Sequence, residues 1–308
     1  MTAIPGSVCV VGSLNFDIIC RVDHLPRPGE TVPGSDLMRL PGGKGGNQAA
    51  AAALCGAPTV FVGAVGRDEP GEIMVDALRA AGVDVSGVVA FDEVPSGHGF
   101  VTVATSGQNS IVLALGANLA LKPEHVIAQA GAGHAVVMAQ LECPIATVEA
   151  AFRAAPDAIK ILNTAPAVLA ARPLFPLADI LVFNESELAA FAHAGETTDV
   201  AEVAAMAQRL LVFPGQIIVV TLGEAGAVGL KDGTVVRVEG RPAKVVDTVG
   251  AGDCFCGILA ARLAEGASFE VAMTWANAGA SLSVERAGAM PAMPTRAEVE
   301  AVMGIGLD

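Results

Sequence analysis

"TVFVGAVGRDEPGEIMVDALRAAG", residues 59–82, decides the architecture of this chain. Its first eight residues are an apolar run without polar alternation, the pattern of a strand buried on both faces. Gly and Pro punctuation follows, and "GEIMVDALRAAG" (71–82) reads as a helix. The rhythm recurs on either side. "KGGNQAAAAALCG" (44–56) reads as a helix, as do "PIATVEAAFRAA" (144–155), "ESELAAFAHAG" (185–195) and "VAEVAAMAQRLL" (200–211). "AVVMAQLE" (135–142), "IKILNTAP" (159–166), "ADILVFN" (178–184) and "QIIVVTLG" (216–223) read as strands. A small hairpin spans "KDGTVVRV" (231–238), and two helices, "CFCGILAARLAEG" (254–266) and "FEVAMTWANAGASLSV" (269–284), close the chain. Buried-type strands alternating with helices predict an α/β fold: a mostly parallel sheet with helices on both faces.

Two segments break the rhythm. In "NFDIICRVDHLPRPGETVPGSDLMRL" (15–40) charged and apolar residues alternate between Pro and Gly breaks. In "GHGFVTVATSGQNSIVLALGAN" (97–118) two alternating runs flank the turn signal "TSGQN". Both read as half-exposed antiparallel strands, the second as a hairpin. They are expected to form a small β-lid, about 15–41 and 95–116, over the carboxyl edge of the main sheet. No repeat or linker divides the chain, so residues 1–308 are expected to form one domain with this lid inserted.

The formal charge of −14 disfavours nucleic acid or a membrane surface as partner, since both need a positive field. The amino terminus has no basic region followed by a long apolar run, and no apolar run reaches spanning length. The six cysteines (9, 20, 55, 143, 254, 256) lack CxxC spacing and read as reduced thiols, which makes a cytoplasmic location the expectation. The five histidines show no HxxxH or HExxH spacing, and no GxSxG elbow occurs.

In open α/β sheets, ligands bind beyond the carboxyl ends of the strands. The polar residues there are Asn15 and Asp17, Gln140 and Glu142, Asn163, Asn184 and Glu187, Thr221 and Gly223, and the run Asp247 to Asp253. In "VDTVGAGD" the glycines at 250 and 252 allow close backbone approach, and amides at a helix start bind phosphate-like charge. Asp253 beside them is either a helix cap or a base taking a hydroxyl proton during phosphoryl transfer. "PGGKGGNQ" (41–48) is not a P-loop, because Met38 and Gly45 stand where that motif needs glycine and Ser/Thr. "GAGDCF" is not GxGxxG, because Phe255 takes the third glycine position. Paired glycines, Lys44 and Asn47 in a first helical turn suit a polyhydroxylated ligand, or serve only close packing of an Ala-rich helix.

Taken in order, "GSLNFD", "RPGETV", "PGGKGGNQA", "VGAVGRDEPGE", "GAN", "QLECP", "NTAPA", "NESE", "TLGEAG", "VDTVGAGDCF" and "WANAGASLSVERAGAMPAMP" resemble the ribokinase branch of the PfkB sugar-kinase family over essentially the whole chain. The resemblance implies a ribokinase-like three-layer sandwich with a small β-sheet lid. It also implies ATP-dependent phosphorylation of a sugar's primary hydroxyl, O5 in the case of ribose. Asp253 is then the base, and the amides of Gly250, Ala251, Gly252 and Asp253 form the anion hole. Asn15, Asp17, Gly43, Lys44, Asn47 and Glu142 match sugar-contacting positions. Asn184, Thr221, Gly223, Gly226, Gly252 and Asn277 match nucleotide positions. Glu187 organises Mg²⁺ through water. Asp247, Val249, Val284, Ala287 and Ala289 match a monovalent-cation site, usually for K⁺. A homodimer through the lid is also implied.

Some positions depart from that pattern: Cys254 stands where threonine is common, and Ala289 where glycine is frequent. Another furanose (2-deoxyribose, fructose) or a nucleoside stays open as substrate, with Phe16 and Phe100 the lid aromatics a base could stack on. A non-catalytic sensor is the alternative of a different class. It is expected to have lost the base, and Asp253 is present.

Overall fold

The computed structural model describes residues 4–305. In chain order the strands are β1 (Ile4–Val11), β2 (Asn15–Val22), β3 (Gly34–Gly42), β4 (Thr59–Gly66), β5 (Asp84–Phe91), β6 (Gly97–Ala104), β7 (Asn109–Ala114), β8 (His134–Ala139), β9 (Ile159–Asn163), β10 (Ile180–Asn184), β11 (Ile217–Thr221), β12 (Gly226–Lys231) and β13 (Thr234–Glu239). The helices are α1 (Lys44–Leu54), α2 (Glu69–Ala80), α3 (Pro123–Ala130), α4 (Ile145–Ala154), α5 (Glu185–Ala192), α6 (Val200–Gln208), α7 (Ala251–Ala264), α8 (Phe269–Ser283) and α9 (Arg296–Met303).

Nine strands form one sheet in the order β13-β12-β11-β10-β9-β8-β1-β4-β5. From β5 to β11 every pairing is parallel. β12 and β13 add an antiparallel hairpin at one edge. Its turn, Asp232–Gly233, has φ of 49° and 76°, the double positive φ of a type I′ turn. Alternation along β1 sorts the two cores. Val8 and Val10 pack under α1, α7, α8 and α9, while Cys9 and Val11 pack under α3, α4, α5 and α6. The result is the three-layer α/β sandwich expected from the strand and helix rhythm.

The two irregular segments form a separate four-stranded sheet, ordered β3-β2-β6-β7. Each segment pairs antiparallel within itself, as expected for β2 with β3 and β6 with β7. Between the segments, however, β2 and β6 run parallel. Both leave the carboxyl edge of the large sheet in the same direction, so parallel pairing follows. Asp68 anchors this sheet to the large one. Its carboxylate accepts from Ser96 N (2.8 Å), Ser96 Oγ (2.6 Å) and Gly71 N (2.9 Å). Burial works against that charge, but these bonds outweigh it and hold the carboxyl below its ordinary range.

Other differences from the sequence reading are local. Three helices rather than two close the chain. The third, α9, starts at a capping box in which Thr295 N donates to Glu298 Oε2 (2.8 Å). Strand β5 and helix α3 also join the fold. Helix α7 begins at Ala251, three residues before the expected start, so Asp253 lies inside its first turn.

Candidate active site

Two of the strand ends deliver the first cluster. β1 runs into Ser13 and Asn15, and β8 runs into Gln140 and Glu142. Glu142 Oε2 accepts from Ser13 Oγ (2.5 Å), Asn15 Nδ2 (3.2 Å) and the backbone N–H of Lys44 (3.3 Å). Gly43, at φ 90°, precedes α1, and a Cβ there would lie 2.5 Å from Asn15 N. Only glycine allows that turn and that approach together. Asn118 completes the cluster. Its amide donates to Leu14 O and Asn15 Oδ1, both at 2.9 Å, and accepts from Leu14 N at the same distance.

Helix α1 presents Lys44, Asn47 and Gln48 on one face, at i, i+3 and i+4. Asn47 Nδ2 donates to Asp253 Oδ2 (2.9 Å), and Gln48 Nε2 donates to Asp253 Oδ1 (3.0 Å). Asp253 is therefore not the cap of α7. Gly250, at φ 80°, holds the cap position, and no side chain bonds the first-turn amides there. The carboxylate points across to α1 instead, which removes the reading of Asp253 as a cap. A Cβ on Gly252 would meet no atom within 4 Å, so the first turn of α7 opens onto free space. The first N–H groups of a helix lack intrahelical acceptors and attract anions.

One cleft takes in Lys44 and Asp253 from these clusters, while Asn15, Asp17, Gly43, Asn47 and Glu142 do not line it. Lys44, Asn163, Asn184, Glu187, Thr221, Gly250, Gly252, Asp253 and Cys256 line it. Asn184 caps α5 and forms a reciprocal box with Glu187, whose Oε2 accepts from Asn184 N at 2.9 Å. Burial raises the Glu187 carboxyl above its ordinary range, against the Asn184 bond and the charge of Lys44. Burial alone would depress the Lys44 ammonium, but Asp253, Glu142 and Glu187 outweigh it and hold its pKa above the ordinary value. Asp17, half-buried between Glu142 and Asp253, has its carboxyl pushed up to about 7, chiefly by burial and then by those two neighbours.

The remaining expected residues sit further out. Gly223 turns beside α5, its missing Cβ 3.9 Å from Glu185 Oε1. Gly226 packs against β13, where a Cβ would collide with Val238 O. Asn277 donates from α8 to Glu239 O at 2.9 Å. None of the three lines the cleft. Asp247 bridges two loops: its carboxylate accepts from Val249 N and Gly288 N, each at 3.0 Å. Val284 O accepts from Val246 N (2.8 Å) and Asp247 N (3.2 Å), and Ala289 packs on Gly250. Ala287 is exposed on the same loop. This loop pair thus abuts the first turn of α7.

Sequence reading gave no role to Ser13, Gln48, Asn118 or Cys256, and collected Gln140 and Asn163 without assigning them one. The i+4 spacing of Gln48 from Lys44, which puts both on one face of α1, was the available signal for its contact with Asp253.

The chain belongs to the pfkB family of carbohydrate kinases, whose family model matches residues 6–296. It is 35% identical over 300 residues to a ribokinase of Haemophilus influenzae, covering 95% of this chain and 96% of that one. It is also 36% identical over 304 residues to a bifunctional ribokinase/ribose-5-phosphate isomerase A of Fructilactobacillus sanfranciscensis. That match takes in 97% of this chain but only 56% of the longer protein. Among solved structures, Arabidopsis thaliana ribokinase complexed with ribose and ATP superposes with a TM-score of 0.85 at 33% identity. The match covers 98% of this chain and 99% of that one. Among the described residues, no helix is long and apolar enough to cross a membrane.

Proposed function

We propose that this chain transfers the γ-phosphoryl group of ATP to the O5 hydroxyl of D-ribose, giving ribose 5-phosphate and ADP. The observation that carries this reading is the position of Asp253. Its carboxylate stands where the polar cradle of Asn15, Asp17, Lys44, Asn47 and Glu142 meets the open first turn of α7. A hydroxyl held in that cradle gives its proton to Asp253, while the amides of Gly250 to Asp253 face the phosphoryl group in flight. The oxygen–phosphorus bond forms as the bond to the leaving ADP oxygen breaks. The nucleotide lies along Asn184, Thr221 and Gly223, with Gly226 and Asn277 behind them.

Charge favours a neutral polyol as acceptor. The cradle sets Asp17, Glu142 and Asp253 against Lys44 alone, which suits hydroxyl donors and repels an already phosphorylated sugar. The lid aromatics speak against a nucleoside. Asn15 and Asp17 face Gly97 and Gly99, so the alternate residues Phe16, His98 and Phe100 lie on the opposite face. There His98 stacks on Phe100 and meets the edge of Phe16, each pair 6.0 Å apart.

Oxygen donors at Glu187, Asn184 and Thr221 fit a hard divalent cation, and no cluster of three metal-binding side chains exists among the described residues. Mg²⁺ would therefore ride on the nucleotide phosphates, reaching Glu187 through water, and would neutralise phosphoryl charge when bound. For a monovalent cation, K⁺ in this reading, Asp247 with the carbonyls of Val249, Val284, Ala287 and Ala289 supplies oxygens next to Gly250. The whole chain acts as one kinase unit. The small sheet is its lid, and it is also the surface of a homodimer: Leu37, Phe100, Ile111, Val112 and Leu113 are large apolar residues exposed on it. A cytoplasmic location accords with six free thiols.

The test is ADP release measured with ribose, 2-deoxyribose, fructose and adenosine, with and without K⁺. Ribose is expected to be the best acceptor. Turnover with ribose no faster than the no-sugar background overturns the assignment.

A further inference from the structure

We infer that Gln48, held from behind by Gln140, is a positioning residue for the carboxylate of Asp253; this rests on the general-base reading above. Gln48 is fully buried on α1, and Gln140 is fully buried at the end of β8. Gln140 Nε2 donates to Gln48 Oε1 at 2.6 Å. Gln48 Nε2 in turn donates to Asp253 Oδ1 (3.0 Å) and to Asn163 Oδ1 (3.2 Å).

The polarity of this relay is set at its far end. An ionised carboxylate only accepts, so Gln48 must aim its NH₂ group at Asp253. Its carbonyl then faces Gln140, which must answer with its own NH₂ group. Gln140 Oε1 is left pointing at Gly12, just past β1, where a Cβ would collide with it, and it finds no donor among the described residues. Gly12 thus leaves the room that the relay needs, and reversing any one amide sets like poles against each other along the line. With Asn47 holding Oδ2, the relay locks both oxygens of the base from the side of α1 and leaves its other lone pairs for the cleft. A base held on one side by fixed donors keeps a single orientation toward an incoming hydroxyl.

The charged and titratable groups facing Asp253 are Asp17 on β2, Lys44 on α1, Glu187 on α5, and Cys254 and Cys256 on its own helix. None of them bonds Gln48 or Gln140. Removing the relay therefore changes the donors on the carboxylate without removing any of these charges.

The test is the split between kcat and KM in Gln48→Met and Gln140→Met, beside Asp253→Asn. Gln48→Met is expected to lower kcat about ten- to a hundredfold, through lost orientation, while the KM for ATP stays within about twofold. Gln140→Met, at a residue that hydrogen-bonds Gln48 but neither Asp253 nor Asn163, is expected to lower kcat in the same way but by less. It carries the test if Gln48→Met does not fold. A kcat unchanged in both glutamine variants, with Asp253→Asn inactive, overturns the relay alone. Near wild-type turnover in Asp253→Asn overturns the base assignment instead.

Discussion

Replacing Asp253 by asparagine is expected to separate turnover from folding at this site. The carboxylate is buried and takes two amide donors, Asn47 Nδ2 at 2.9 Å and Gln48 Nε2 at 3.0 Å. In Asp253→Asn one acceptor oxygen becomes an NH₂ group that faces one of those donors. The lost charge-assisted bond costs about 1.5–3 kcal/mol. Removing a buried negative charge offsets part of that. The net change in stability is therefore expected within about 2 kcal/mol, a shift in Tm of several degrees at most. Turnover is a different matter. A positioned general base contributes about 10²–10⁴-fold, or roughly 2.7–5.5 kcal/mol of activation free energy. The assay is coupled ADP release at saturating sugar and ATP, with nucleotide affinity and thermal melting measured on the same preparations. A kcat within about tenfold of wild type, in protein that melts and binds ATP normally, would falsify the reasoning.

Three further outcomes are expected. Asp17 is raised to about 7 in the folded chain, so its ionised form opposes folding: the penalty is absent near pH 4, grows through neutrality and is full above about pH 7. Asp17→Asn should then melt higher than wild type at about pH 8, but not at about pH 4, while losing sugar affinity; equal melting curves at both pH values refute the burial of that charge. Gly250→Ala should lose about 1–2 kcal/mol from the left-handed backbone alone, and more because a Cβ there would meet Ala289 at 2.8 Å; a denaturant midpoint equal to wild type contradicts this. If the proposed lid dimer forms, Val112→Asp, on exposed β7, should convert it to monomers in sedimentation with the fold intact; a wild-type monomer, or a variant of unchanged mass, means this face is not a dimer interface.

The layers were legible because their signals are local. A strand such as "TVFVGAVG" announces burial on both faces within eight residues, and it is buried throughout. The antiparallel hairpins of the small sheet were readable for the same reason. The parallel pairing of β2 with β6 was not, since it depends on how two segments leave the large sheet. Helix α9 carried the T-x-x-E signature of a capping box but little apolar periodicity, and so escaped notice. In the site, the residues after each strand were found by their position. Ser13, Gln48 and Asn118 were missed because a single polar residue beside a motif has no local mark of its partner.

By itself, the sequence determined a mostly parallel α/β sandwich, an irregular β insertion and a roster of polar strand ends. Periodicity and turn chemistry act over a few residues and are written in order along the chain. Only the tertiary structure decided which polar groups meet. Asn47 reaches Asp253 across 206 residues, and that contact turns a first-turn aspartate from a helix cap into a carboxylate held from α1. The first turn of α7 would satisfy either role. Packing of α7 against α1 puts two amide donors where the carboxylate must go, and that geometry settles its direction.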